Sequence, residues 1–147
     1  MKIVQATLED VDWIVDVVVT DMTTLHGAES MVDVDYLREG FIPYIVEHGL
    51  IIVAKDDDTP VGCIGGIVTP ALYHPTKKVL TELSWWVRED YRQGSVGARL
   101  LATFEASAKN MQADFINMSI LPNTGLNTRA LEKRGYIHRE SSYLLEI

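Results

Sequence analysis

Cysteine is nearly missing from this chain: Cys63 is the single one in 147 residues. No disulfide can form within the chain, and an apolar, glycine-containing strand around Cys63 points to a buried, inert thiol rather than a nucleophile. Basic residues are also few. Thirteen Lys and Arg against 21 Asp and Glu leave a net charge of -8, which argues against nucleic acid, whose phosphates need a basic face. No stretch of about 18 apolar residues occurs, so no membrane span is expected. Met1-Lys2 leads directly into a strand, so no signal peptide is expected either, and the expected location is the cytoplasm. The four histidines, His26, His48, His74 and His138, lack metal-ligand spacing, and no metal is assigned. There is no Gly-Lys-Ser/Thr ending of a P-loop and no G-x-G-x-x-G followed by an acidic residue. Linkers, repeats and low-complexity segments are absent as well.

What is present suffices for one domain spanning residues 1–147, because 47% hydrophobic residues can bury a substantial core. Lys2 to Ala6 reads as a strand, and Thr7 with Asp10 forms a capping box ahead of the helical stripe Val11, Ile14, Val15, Val18. Residues 21–32 show no clean period and read as a loop. A second helix is expected from Asp33, with Leu37, Phe41 and Ile45 on one face and Pro43 bending or splitting it. Leu50 to Lys55 and Val61 to Val68 form a hairpin around the turn 56–60. A loop over residues 73–78 leads to a strand from Val79 to Val87, then come a helix, a strand over 113–120, a helix over 124–134 and a last strand or hairpin over 136–147. That order predicts an α/β sandwich around one central mixed, mostly antiparallel sheet flanked by helices.

The richest stretch is Val87 to Leu101, V-R-E-D-Y-R-Q-G-S-V-G-A-R-L-L, where a strand, a glycine-bearing turn and a helix start follow one another. Gly94 and Gly97 carry no side chains, so backbone amides between Gln93 and Ala98 can approach a ligand, and the first-turn amides of the helix favour an anion. Arg92 adds a fixed positive charge. The same residues also fit an ordinary turn in which Ser95 simply caps a surface helix.

This stretch resembles the acyl-CoA signature of the GNAT superfamily of N-acetyltransferases, Arg/Gln-x-x-Gly-x-Gly/Ala. Arg92 takes the first position, Gln93 and Gly94 the variable places, Ser95 the usual glycine, Val96 the next variable place and Gly97 the final small residue. Residues 124–136, T-G-L-N-T-R-A-L-E-K-R-G-Y, resemble the family's N-x-x-A-x-x-L-Y-E-K-x-G-F segment through Glu132, Lys133, Gly135 and Tyr136. Thr124 replaces the Asn there, and Leu131 replaces the Tyr that is the family's common general acid. The short form resembles acetyltransferases carried by bacteria and bacteriophages. The resemblance implies that acetyl-CoA is the acyl donor, with Trp86, Val87, Arg92, Gln93, Gly94, Ser95, Val96, Gly97, Ala98, Asn123 and Asn127 in contact with it. It also implies two splayed central strands with the pantetheine arm between them.

The expected chemistry is direct attack of a primary amine of a small molecule or protein on the thioester. A lysine-like ammonium near pKa 10.4 must first lose its proton, which at pH 7 costs about 4.6 kcal/mol. Glu82, ten residues before Arg92 on the strand leading to it, is the candidate base, near where several family members place a catalytic Glu. Simple alternation would put it on one face with Ser84 and Trp86. It also fits a solvated strand carboxylate, or one paired with Lys77 or Lys78. Tyr136 and Tyr143 are candidate substitutes for the acid, with packing roles as the alternative. The acidic surface suits a cationic acceptor. Two competing readings stay open. One is a degenerate, non-catalytic acyl-CoA-binding or protein-interaction module, suggested by Ser95 and Leu131. The other is a homodimer in which S-S-Y-L-L-E-I pairs across a two-fold axis.

Overall fold

The computed structural model describes residues 1–25, 29–121 and 128–147. In chain order the regular elements are β1 (Lys2–Gln5), α1 (Val11–Thr20), α2 (Val34–Tyr36), α3 (Ile42–His48), β2 (Leu50–Asp56), β3 (Thr59–Ala71), β4 (His74–Val87), α4 (Val96–Asn110), β5 (Phe115–Asn117) and α5 (Thr128–Lys133). The strands form a single sheet in the order β1-β2-β3-β4-β5. The first four are antiparallel neighbours, while β5 joins β4 in parallel after the α4 crossover. This is the mixed, mostly antiparallel α/β sandwich expected from the element order.

Both faces of the sheet are covered, which explains why β2 is a continuous apolar run rather than an alternating one. Leu50, Ile52 and Ala54 join Ile64, Leu80, Leu100 and Phe104 on the α4 side. Ile51, Val53 and Cys63 join Ile14, Val15, Ile42 and Ile45 on the α1 and α3 side. At the start of α1 the buried Asp10 accepts from the Thr7 amide at 2.9 Å and meets Lys55 Nζ at 2.6 Å. Burial opposes its ionisation, but the Lys55 and Thr7 hydrogen bonds prevail and hold the carboxyl below its ordinary value.

Several local expectations change. The helical chain does not stop at Thr20: a wide π-type turn, Asp21–Leu25, extends it, with Thr23 Oγ1 donating to the Val19 carbonyl at 2.7 Å. The second helix, capped by the Asp33 side chain accepting from the Tyr36 amide, is split by another wide turn over Leu37–Phe41. Pro43 then sits in the first turn of α3, where its missing N–H costs nothing. The β2–β3 turn is made by Asp57 (φ 44°) and Asp58 (φ 68°), a left-handed pair suited to a two-residue hairpin. Of the expected 73–78 loop, residues 74–78 are instead strand, so β3 and β4 form one long hairpin with Leu72 and Tyr73 exposed at its tip.

The end of the chain differs most. Residues 137–147 hold neither helix nor strand, and Tyr143, Leu144, Leu145 and Ile147 are exposed. β-type residues need a cross-strand partner to become a strand, and β5 pairs over only Val79–Phe115, Leu80–Ile116 and Thr81–Asn117. The chain leaves α5 through Gly135, at φ 93°, and Tyr136 is tied back to α4 by its hydroxyl, which donates to Glu105 Oε1 at 3.1 Å.

Candidate functional site

The site begins where β4 and β5 part. Their last pair is Thr81–Asn117, yet β4 continues to Val87, leaving a fork in the sheet beyond that pair. Opposite the fork, β3 and β4 change register between Gly65 and Gly66: Gly65 pairs with Ser84 and Gly66 with Glu82, so Leu83 is an extra residue. Gly66 is required there, because a Cβ on it would lie 2.6 Å from the Thr81 carbonyl oxygen and 2.9 Å from Phe104 Cζ. The bulge overturns the simple alternation of Glu82, Ser84 and Trp86 on one face, since one inserted residue resets the period of two.

Glu82 is held in the fork. It is 7% exposed, and its Oε2 accepts from the Ser119 amide at 3.1 Å. Lys77 and the Lys78 amide bind Asp114 instead, so Glu82 is neither solvated nor paired with either lysine. Burial pushes its carboxyl from an ordinary 4.5 up to about 7; the Ser119 hydrogen bond opposes this and the charge of Asp21 adds to it. Cys63 is buried on the neighbouring strand, and burial, then Asp21 and Glu82, push its thiol up to about 12. The thiol is therefore inert, as its surroundings in the sequence suggested.

Beside Leu83 and Ser84 lies a cavity of about 120 Å³, walled also by Ile14, Val18, Phe41 and Ile45. Ser84 Oγ is buried and, among the described residues, has no hydrogen-bond partner. Trp86 stands edge-on to Trp13 with ring centroids 6.0 Å apart and packs on the α1 side, whereas Trp85 and Val87 pack on the α4 side.

At the far end of β4 the chain turns through Glu89–Tyr91 into α4. Arg92 Nε donates to the Val87 carbonyl at 2.8 Å, which fixes the guanidinium at the base of the turn. The Gly94 amide is already donated to the Tyr91 carbonyl at 3.2 Å, so it does not belong with the amides open to a ligand. Those of Val96, Gly97 and Ala98 precede the first α4 bond, from the Arg99 amide to the Ser95 carbonyl. Ser95 precedes the helix but makes no capping bond with its side chain. Arg92, Gln93, Gly94, Ser95 and Ala98 are exposed, while Val96 points its side chain into the core. A Cβ on Gly97 would stand at ordinary contact, 3.7 Å from Val87 Cγ2 and 3.8 Å from Trp85 Cζ2. Packing therefore does not demand glycine at this position. Asn123 and Asn127 lie outside the described residues, as does His26.

The acid candidates separate cleanly. Leu131 is buried against the α4 core and has no proton to give. Tyr136 packs on the same core and donates to Glu105, and burial followed by that neighbouring carboxylate raises its hydroxyl well above the ordinary value. Tyr143 is 95% exposed on the terminal segment. Reading the sequence missed Ser119 and Asp21. Neither has a spacing signal, since Ser119 acts through its backbone amide and the charge of Asp21 bears on Glu82 only once the turn after α1 has folded.

The acetyltransferase (GNAT) family model matches residues 16–136. The chain belongs to this family. No curated protein matches it. Among solved structures it is similar to a probable acetyltransferase, at 22% identity and TM-score 0.76, covering 100% of this chain and 98% of that one. It is also similar to a transcriptional regulator from Bacillus halodurans C-125, at 19% identity and TM-score 0.78, covering 99% of each. A predicted acetyltransferase from Clostridium acetobutylicum, solved with acetyl-CoA, shares 13% identity at TM-score 0.76 over 99% of this chain and 95% of that one. At these identities the likeness speaks for the fold of this GNAT acetyltransferase. No helix among its described residues is long and apolar enough to cross a membrane.

Proposed function

We propose that this GNAT protein transfers an acetyl group from acetyl-CoA to a primary amine by direct attack, with donor and acceptor bound together. The observation that carries this reading is the fork itself, with the buried Glu82 carboxyl, raised to about 7, at its closed end and a helix start whose first amides precede the α4 ladder beside its open end. The residues present fit the donor. The open amides of Val96, Gly97 and Ala98, with Arg92 and Gln93 nearby, would hold the diphosphate, and the space left at Gly97 permits close approach of its backbone. The β4 backbone around Trp86 and Val87 would line the pantetheine arm. Bound acetyl-CoA supplies the thioester carbonyl that the amine attacks.

Glu82 is the base in this reading. An ammonium near 10.4 facing a carboxyl at about 7 gives up its proton uphill, but burial beside the apolar cavity lowers the ammonium value and narrows the gap. No strong acid is needed at the other end, because a thiol near 8.5 leaves readily as the anion. Leu131 in the usual Tyr position is therefore compatible with turnover, although it also favours the second reading, a module that binds acyl-CoA without transfer. Calorimetry with acetyl-CoA and a thiol-release assay over an amine panel test the choice. Binding together with amine-dependent release supports transfer. Binding without any release supports the module.

A further inference from the structure

The cavity beside the bulge bears on which amine is accepted, provided that the protein is the acetyltransferase proposed above. We propose that the acceptor is a small primary amine with an apolar body about the size of a phenyl ring or a branched alkyl group, seated between α1, α3 and β4 with its nitrogen directed toward Glu82.

The lining carries the argument. Ile14 and Val18 come from α1, Phe41 from the wide turn ahead of α3, Ile45 from α3, and Leu83 from the bulge. Polar groups are almost absent from these walls. Ser84 offers one hydroxyl without a partner among the described residues, and the Cys63 thiol on the same wall is neutral. A polyol or polyamine would enter with several donors and only one oxygen to meet them, and buried polar groups left unpaired are strongly penalised. An apolar body loses nothing there. The size agrees, since about 120 Å³ approaches the roughly 150 Å³ apolar cavity that accepts benzene in an engineered protein.

Charge supplies the orientation. Glu82 directly precedes Leu83 of the cavity wall on β4, so the fork that holds this carboxylate adjoins the otherwise apolar space. A single ammonium directed at the fork leaves the rest of the molecule against the aliphatic walls. The net charge of -8 draws cations over the whole surface but does not select among amines.

The test uses the full chain with saturating acetyl-CoA. Benzylamine, 2-phenylethylamine and isopentylamine form one arm; spermidine, an aminoglycoside and a lysine-containing peptide form the other. The expected result is a kcat/KM at least tenfold higher for the apolar arm. Val18→Phe, which fills the cavity, should lower kcat/KM for 2-phenylethylamine by about tenfold or more, since even one misplaced methylene in an apolar pocket is worth about that much. Acetyl-CoA affinity by calorimetry should not change. Should Val18→Phe fail to fold, Phe41→Ala serves instead by enlarging the cavity, and preference should move toward naphthyl-sized amines. Preference for spermidine, the aminoglycoside or the peptide overturns this inference and leaves acetyl transfer standing. Acetyl-CoA binding with no release from either arm overturns both.

Discussion

Replacing Glu82 by Gln should make the protein more stable and less active at the same time, with the stability gain growing between pH 4.5 and about 7 and complete above it. The structure sets the size of the effect. Raising a carboxyl from 4.5 to about 7 on folding corresponds to roughly 3 kcal/mol of preference for the protonated form in the native state. The sign follows from proton counts. Between pH 4.5 and 7 the unfolded chain has released this proton while the folded chain still holds it, so stability falls as pH rises through that window, and above it the full cost is present. Gln is neutral throughout, is close to Glu in shape, and can still accept from the Ser119 amide. It also removes the repulsion from Asp21.

Thermal denaturation of both proteins from about pH 4 to about pH 8.5 measures this directly. The melting temperatures should nearly coincide near pH 4 and separate by roughly 6–12 °C in favour of Glu82→Gln at about pH 8.5, given about 2–4 °C per kcal/mol for a chain of this size. In parallel, wild-type kcat/KM should rise with pH through an apparent value of about 7, as the carboxylate becomes available. The variant should lose that step and retain acetyl-CoA affinity. Melting curves that stay parallel across the pH range would refute the claim that Glu82 is buried at a cost. Unchanged turnover would remove it from the proton transfer.

Three other perturbations separate ligand contacts from fold contacts. A bulky side chain at Gly97, as in Gly97→Phe, crowds the α4 amides and should lower acetyl-CoA affinity, read by calorimetry, by about tenfold or more, whereas Gly97→Ala, which places a methyl at ordinary distance from Val87 and Trp85, should stay close to wild type in both affinity and melting temperature. Gly66→Ala, in contrast, drives a Cβ to 2.6 Å from the Thr81 oxygen and should cost about 1–3 kcal/mol in a denaturant titration. Asp10→Asn removes a carboxyl held below its ordinary value against burial by Lys55 and Thr7. Its contribution is present above the unfolded value of 3.8 and lost as pH falls through the lower folded one, so wild type should exceed the variant in stability at about pH 7, with the gap closing on acidification.

Much of the fold was legible because its causes are local. Asp33 caps the Tyr36 amide, Thr7 and Asp10 form their box, and the five consecutive apolar residues Leu50–Ala54 announce a strand covered on both faces. The failures share one physical origin, which is dependence on partners distant in sequence. Residues 74–78 carry weak strand signals of their own and become strand by pairing back on β3. The apolar terminal segment has stronger signals and forms no strand, because the β5 ladder is only three residues long.

The same reasoning explains why the candidate site was identified by residue but not by arrangement. A glutamate ahead of a glycine-bearing turn is visible in the sequence, whereas its burial is not. That burial depends on the bulge, which depends on Gly66, whose missing Cβ is what lets β3 and β4 approach beside Phe104. If the bulge were ironed out by deleting Leu83, Ser84 would still face Gly65 and Glu82 would still face Gly66, while the cavity would lose the wall that Leu83 now forms. A single inserted residue thus links the register of two strands to the apolar space beside them, and the two should be lost together.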